Sequence, residues 1–232
     1  MTALSAEGML RLFEQGQRSD PLARTAMALA IAEGERAPLA LTAGALEARL
    51  LAIREEMFGA RMEGVATCPV CGERCETSVL TTDILGLPEG QEPVLVARDG
   101  IEVEARLPRG EDIAAVVHLR EPDVIRQAML ERCLVRANVS PIPAAMFDEL
   151  ENALTAADPR ADVQLALTCP SCAHEWLVRF DAAAFFWSEL AAAAERVLDE
   201  VDVLARAYGW SEREILAMSA RRRALYVERL QS

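Results

Sequence analysis

Apolar positions recur along this chain in two rhythms, and the changes between them mark its regions. Leu46, Leu50, Ile53 and Met57 fall three or four residues apart, so a helix over this segment has one apolar face, and Gly59 stands where a C-cap is needed. Ahead of it, Asp20-Pro21 offers an N-cap followed by proline at the first helical position, and the Ala-rich run beyond stops near Gly34. From Gly64 the helical rhythm is lost. Val65 to Val79 is rich in Cys, Thr and Val, as a strand, a tight turn and a returning strand would be. Val94 to Arg98 and Ile101 to Ala105 then flank Asp99-Gly100, a strong two-residue hairpin signal.

Helical segments are predicted at about 110–118, 122–135 and 143–156, followed by strand-like runs at Val163 to Leu167 and Trp176 to Val178. The longest pattern comes last. Phe186, Leu190, Ala193, Val197, Val201, Leu204 and Tyr208 form a helical stripe between a cap at Asp181 and a stop at Gly209, with Glu189, Arg196, Asp199 and Arg206 off it. Ser211 to Glu214 is a capping box that opens a short helix, and a final helix carries Arg221 to Arg223, Leu225, Tyr226 and Leu230. The fold class expected is α+β, mainly helical, with small antiparallel β elements. Three regions follow: a helical N-terminal region at 1–62, a mixed region at 63–180, and a C-terminal helical hairpin or hook at 181–232.

Composition narrows the chemistry. The chain has 232 residues, 52% of them apolar, an ordinary globular profile. All 24 basic residues are arginine, which excludes a phosphate-gripping P-loop lysine and a Schiff-base lysine. A net charge of −13 disfavours nucleic acid unless arginines cluster, and they do so clearly only at Arg221, Arg222 and Arg223. No apolar run approaches the roughly 20 residues that cross a bilayer. Glu7 near the start and the lack of a signal-peptide pattern predict a cytoplasmic protein, where spaced cysteine pairs hold metal more often than disulfides.

Two such pairs are present, Cys68-Pro69-Val70-Cys71 and Cys169-Pro170-Ser171-Cys172. Each follows a Thr and precedes a strand-like run, and Cys75 and Trp176 both lie four residues beyond the second cysteine of their pair. Each pair can donate two thiolates from a tight turn, so together they predict one structural Zn²⁺ per chain in a four-cysteine zinc ribbon. The ribbon is split, because 97 residues lie between Cys71 and Cys169 where a compact one has about 15–20. Residues from about 85 to 160 therefore read as an insertion. Free thiols, a disulfide or a redox dithiol are the alternatives, the last without a thioredoxin-like βαβ setting. Four thiolates leave no open position for catalytic water. Cys133 reads as a buried small hydrophobe, Cys75 as a strand residue and His174 as a neighbour of the knuckle.

No nucleophile elbow, Gly-rich phosphate loop or metalloprotease helix is present, and nothing points to an enzyme. Candidate binding residues lie in the tail. Trp187 is off the helical stripe, Trp210 sits in a turn, and Arg221, Arg222 and Arg223 accompany Tyr226, either as a solvated face or as a docking surface.

The stretches Phe185 to Leu190, Leu204 to Glu212 (with Tyr208-Gly209-Trp210-Ser211-Glu212) and Ile215 to Tyr226 resemble T4-like phage baseplate proteins, as does Leu50 to Gly59 ahead of Cys68 to Glu73. The resemblance covers most of the chain in order, is weakest from about 85 to 160, and is most specific in the tail. It implies a non-enzymatic component or assembly factor of a contractile-tail baseplate or hub, in a phage or a phage-derived injection system, with other tail proteins as partners. The rival class is a zinc-ribbon adaptor for nucleic acid or the transcription machinery, which needs a basic face that this composition scarcely supplies.

Overall fold

The computed structural model describes residues 4–34 and 36–231. Internal contacts group the chain into two compact units: the described residues up to Gly34 with those from Ala183 onward, and residues 36–182. The sequence-derived ranges 1–62, 63–180 and 181–232 follow chain order and divide it elsewhere.

The smaller unit begins with α1 (Ala6–Gly16), where Ser5 Oγ accepts the Gly8 N–H at 3.0 Å. In α2 (Pro21–Glu33), Asp20 Oδ1 accepts the Ala23 N–H at 2.9 Å, the cap expected from Asp-Pro.

In the larger unit a 3₁₀ turn (Pro38–Ala40) leads into α3 (Ala43–Phe58), which buries Leu46, Leu50, Leu51 and Ile53. Two antiparallel strands, β1 (Arg61–Thr67) and β2 (Arg74–Leu80), form the first hairpin, and α4 (Thr81–Leu85) follows. Next come β3 (Val94–Arg98), β4 (Ile101–Ala105), α5 (Gly110–Val116), α6 (Pro122–Cys133), β5 (Leu134–Ala137) and α7 (Ala144–Ala157). Strands β3, β4 and β5 make one three-stranded sheet in that order. The Asp99-Gly100 turn has positive φ at both residues, +50° and +78°, as the hairpin signal requires. A second two-stranded hairpin, β6 (Gln164–Thr168) with β7 (Glu175–Arg179), closes the unit.

One prediction needs correcting. The segment expected to be helical to about 135 leaves the helix at Cys133, and Leu134 to Ala137 pairs with β4 instead. Sheet pairing there satisfies the same backbone groups that another helical turn would. The shift also places Cys133 and Leu130 in the core with Val103, Ala105, Met146, Leu150 and Leu154.

Buried polar groups lock this unit. Asp112 is fully buried and accepts both Arg106 guanidinium nitrogens (2.6 and 2.9 Å), Arg132 Nε (3.0 Å) and the Arg109 N–H (3.0 Å). Burial works to raise its pKa, but these donors hold it below the usual carboxylate range. The buried Arg54 guanidinium donates to the carbonyls of Gly59 and, at 2.8 Å, Arg61, tying the end of α3 to β1. Gly44 is required by proximity: its N–H donates to Asp158 Oδ2 at 3.0 Å, and a Cβ there would lie 2.0 Å from Asp158 Oδ1.

The last three helices are α8 (Ala182–Tyr208), α9 (Glu212–Leu216) and α10 (Ala220–Gln231). In the smaller unit Leu10 of α1 clusters with Ala194 and Val197 of α8, flanked by Phe13, Val201 and Leu216. The capping box forms as expected, with Ser211 N–H donating to Glu214 Oε2 at 2.9 Å and Glu214 N–H to Ser211 Oγ at 3.4 Å. Among the described residues no helix is long and apolar enough to cross a membrane.

One half-buried acid gives this fold a pH dependence. Burial, then the nearby Asp181 carboxylate, pushes Glu47 up to about 7, against the opposing pull of Arg179 and the Ala182 N–H. An acid whose folded pKa is raised contributes stability fully below its unfolded pKa of about 4.3, and loses it as pH rises through the folded value. Glu47→Gln should therefore melt close to wild type at about pH 4 and above it at pH 8, as checked by thermal unfolding at both pH values.

Candidate metal centre

The two Cys-Pro-X-Cys turns fold alike because their backbones close the same hydrogen bonds. Cys68 N–H donates to Glu73 O (2.8 Å) and Gly72 N–H to Cys68 O (3.0 Å); Cys169 N–H donates to His174 O (2.9 Å) and Ala173 N–H to Cys169 O (2.9 Å). The residue after the second cysteine is left-handed in both turns, Gly72 at φ +76° and Ala173 at φ +57°. A glycine holds that conformation without strain, so the second turn carries the less comfortable residue. Backbone N–H groups also face the sulfurs: Glu73 toward Cys71, His174 toward Cys172, and Ser171 and Cys172 toward Cys169.

These turns meet. Cys68 Sγ lies 3.7 Å from Cys172 Sγ, Cys71 Sγ lies 3.5 Å from Cys169 Sγ, and all four sulfurs fall within 4.8 Å of one another. The separations exceed the roughly 2.05 Å of a disulfide, and all four cysteines are free. Sulfurs placed about 2.3 Å from a tetrahedral zinc are about 3.8 Å apart, so the donor set and its spacing fit that ion. Ser171 Oγ donates to Glu73 Oε2 at 3.2 Å, a second link between the turns. Cys68 and Cys169 are buried, whereas Cys71 and Cys172 are exposed.

Left to themselves the thiols compete for protons. Burial raises Cys169, but the Cys172 and Ser171 N–H groups and the thiols of Cys71 and Cys172 bring it down to about 6. The Glu73 N–H lowers Cys71, yet contacts with Cys169 and Cys172 push it up to about 12. A bound cation removes this competition by favouring all four thiolates at once.

The remaining sulfurs and rings sort as expected. Cys75, opposite Ala66 in β2, is buried in one cluster with Cys68, Cys169 and the half-buried Trp176, which stands opposite Leu167 in β7. His174 stacks on Trp176 (centroids 6.0 Å apart) and is outside the four-cysteine group. Cys133 lies in the sheet core. His118 is exposed beyond the end of α5.

The tail residues separate into three environments. Trp187 is half-buried inside the smaller unit: its ring stacks on Phe13 (6.1 Å) and carries the Arg24 guanidinium 4.1 Å from a ring centroid. Arg223 is buried, 4% exposed, with Nε 2.7 Å from Glu200 Oε2 and Nη1 donating to Met218 O at 2.8 Å. It thus leaves the triplet, because the turn of α10 that exposes Arg221 and Arg222 points the third arginine at α8. Trp210 stacks on Tyr208 (4.5 Å), and Tyr226 meets both edge-on at 4.9 and 5.6 Å.

The fold and site define a mixed helical and antiparallel-sheet protein in which two separate hairpins bring together four cysteines able to hold a metal ion. Residues 28–187 match the family model described as T4 bacteriophage base plate protein, and the chain belongs to that family. The match spans the larger unit, including residues 85–160, and stops at Trp187, before the tail motif at 208–212. No curated protein and no solved structure matches the chain.

Gly16 is set by its neighbour, since a Cβ there would come within 2.3 Å of the Trp187 ring. Gly16→Ala should displace the indole, cost about 1–3 kcal/mol in urea unfolding, and red-shift the tryptophan emission. An unchanged midpoint would mean that Trp187 is free to move outward.

Proposed function

We propose that this chain is a non-enzymatic structural or assembly protein of a contractile-tail baseplate or hub, built around one structural zinc held by Cys68, Cys71, Cys169 and Cys172. The observation that carries the reading is the baseplate-family match over a segment that contains both cysteine turns, whose sulfurs converge on one point. Four thiolates complete the coordination of zinc, so the ion serves as a clamp and offers no site for activated water. The baseplate family implies other tail proteins as partners, and a net charge of −13 argues against nucleic acid.

The clamp is tested on the purified full chain. Wild type should contain one zinc by elemental analysis, while Cys68→Ser and Cys169→Ser should lose it and melt at least about 10 °C lower, because the ion ties distant segments. Cys75→Ser should keep its metal. Loss of zinc with unchanged melting would overturn the clamp. Isolation of the tagged chain from cells making the particle should bring down sheath, tube or baseplate proteins; RNA polymerase subunits in their place would favour the adaptor class.

A further inference from the structure

The end of the chain reverses the charge of the rest. Residues 220–231 hold four arginines and one carboxylate, in a protein whose net charge is −13. Arg223 is neutralised by Glu200. Among the described residues no carboxylate pairs with Arg221, Arg222 or Arg229, all of them exposed, although Arg206 close by in sequence is paired with Asp202. Unpaired cations amid so many carboxylates mark a surface kept available.

Arg222 and Arg229 stand one turn before and one turn after Tyr226, each guanidinium 5.9 Å from that ring's centroid. Seven residues of helix separate them by about 10.5 Å along one face. Between them the surface is apolar: Leu225 is 51% exposed, and Tyr226 rests against the Trp210–Tyr208 stack, where Tyr208 is itself 38% exposed. Tyr, Trp and Arg around an exposed Leu are the side chains that dominate protein–protein binding energy.

We propose that Tyr208, Trp210, Arg222, Leu225, Tyr226 and Arg229 form a docking surface for an acidic segment of another protein. The segment would present two carboxylates about 10 Å apart around an apolar side chain. The apolar group packs on Leu225 and the aromatic rings, and the carboxylates pair with Arg222 and Arg229 as water is excluded. Carboxylates suit this surface better than a nucleic acid, whose dense charge the acidic remainder of the chain repels. Only the identity of the partner as a tail protein rests on the baseplate reading.

The test replaces Leu225 with the photo-crosslinking residue benzoylphenylalanine in the full chain, produced in the cell that makes the particle, and maps the crosslinked peptides. The expected product joins this position to an Asp- or Glu-rich segment of a different protein. Its yield should fall about tenfold when Arg222→Gln and Arg229→Gln are added, with melting unchanged because both arginines are exposed. No crosslink, a crosslink to a neutral segment, to nucleic acid or to a second copy of this chain, or a yield indifferent to the two substitutions would overturn the proposal. An arginine-dependent crosslink to an acidic segment of a non-tail protein would uphold the surface and overturn the baseplate reading. Tail proteins that co-purify without any crosslink at Leu225 would do the reverse.

Discussion

Neither cysteine-bearing hairpin can stand alone, and their junction is the constraint on which the larger unit depends. A two-stranded hairpin is marginal in water, and each of these pairs buries little: β1 and β2 bury Met62 and Cys75, while β6 and β7 bury no residue fully. Their turns meet through Cys68 with Cys172 and Cys71 with Cys169, across 104 and 98 positions of sequence. Closing a loop of about 100 residues by a cross-link removes on the order of 4–5 kcal/mol of entropy from the unfolded chain in the simplest model. A zinc ion at this point would act in the same sense, with the added strength of four thiolate bonds.

Within that loop lies a core cluster of its own. The β3–β4–β5 sheet packs with α6 and α7, and Asp112 is surrounded by Arg106, Arg109 and Arg132. Removing one member of such a buried network is costly because the other charges lose their partners. A metal ion held by the four cysteines would fix where the two ends of this segment lie.

The tail shows how one sequence motif can serve two purposes. Arg221, Arg222 and Arg223 look equivalent as a run, yet helical geometry turns consecutive side chains about 100° apart. Arg223 becomes a buried ion-pair partner that holds α10 to α8, while its neighbours stay exposed. Trp187 and Trp210 separate in the same way. Trp187 fills the space left by Gly16, and Trp210 belongs to the aromatic cluster at the end of α8.

Local chemistry was readable in the residues themselves. The Asp20-Pro21 start, the Asp99-Gly100 turn, the Ser211–Glu214 capping box, the long stripe of α8 and the two cysteine turns all depend on neighbours a few positions away, and all formed as expected. The matched spacing of the cysteine pairs even pointed to their meeting across the long gap. What the residues could not decide alone depends on contacts distant in sequence. The end of α6 became a strand because β4 offered it a partner. Arg54 was buried because the carbonyls of Gly59 and Arg61 received it, and Gly44 had to be glycine because Asp158, 114 positions on, approaches its backbone. Helix and turn propensities are properties of short segments, whereas burial and pairing are properties of the surroundings that folding assembles, and only the tertiary structure supplies those.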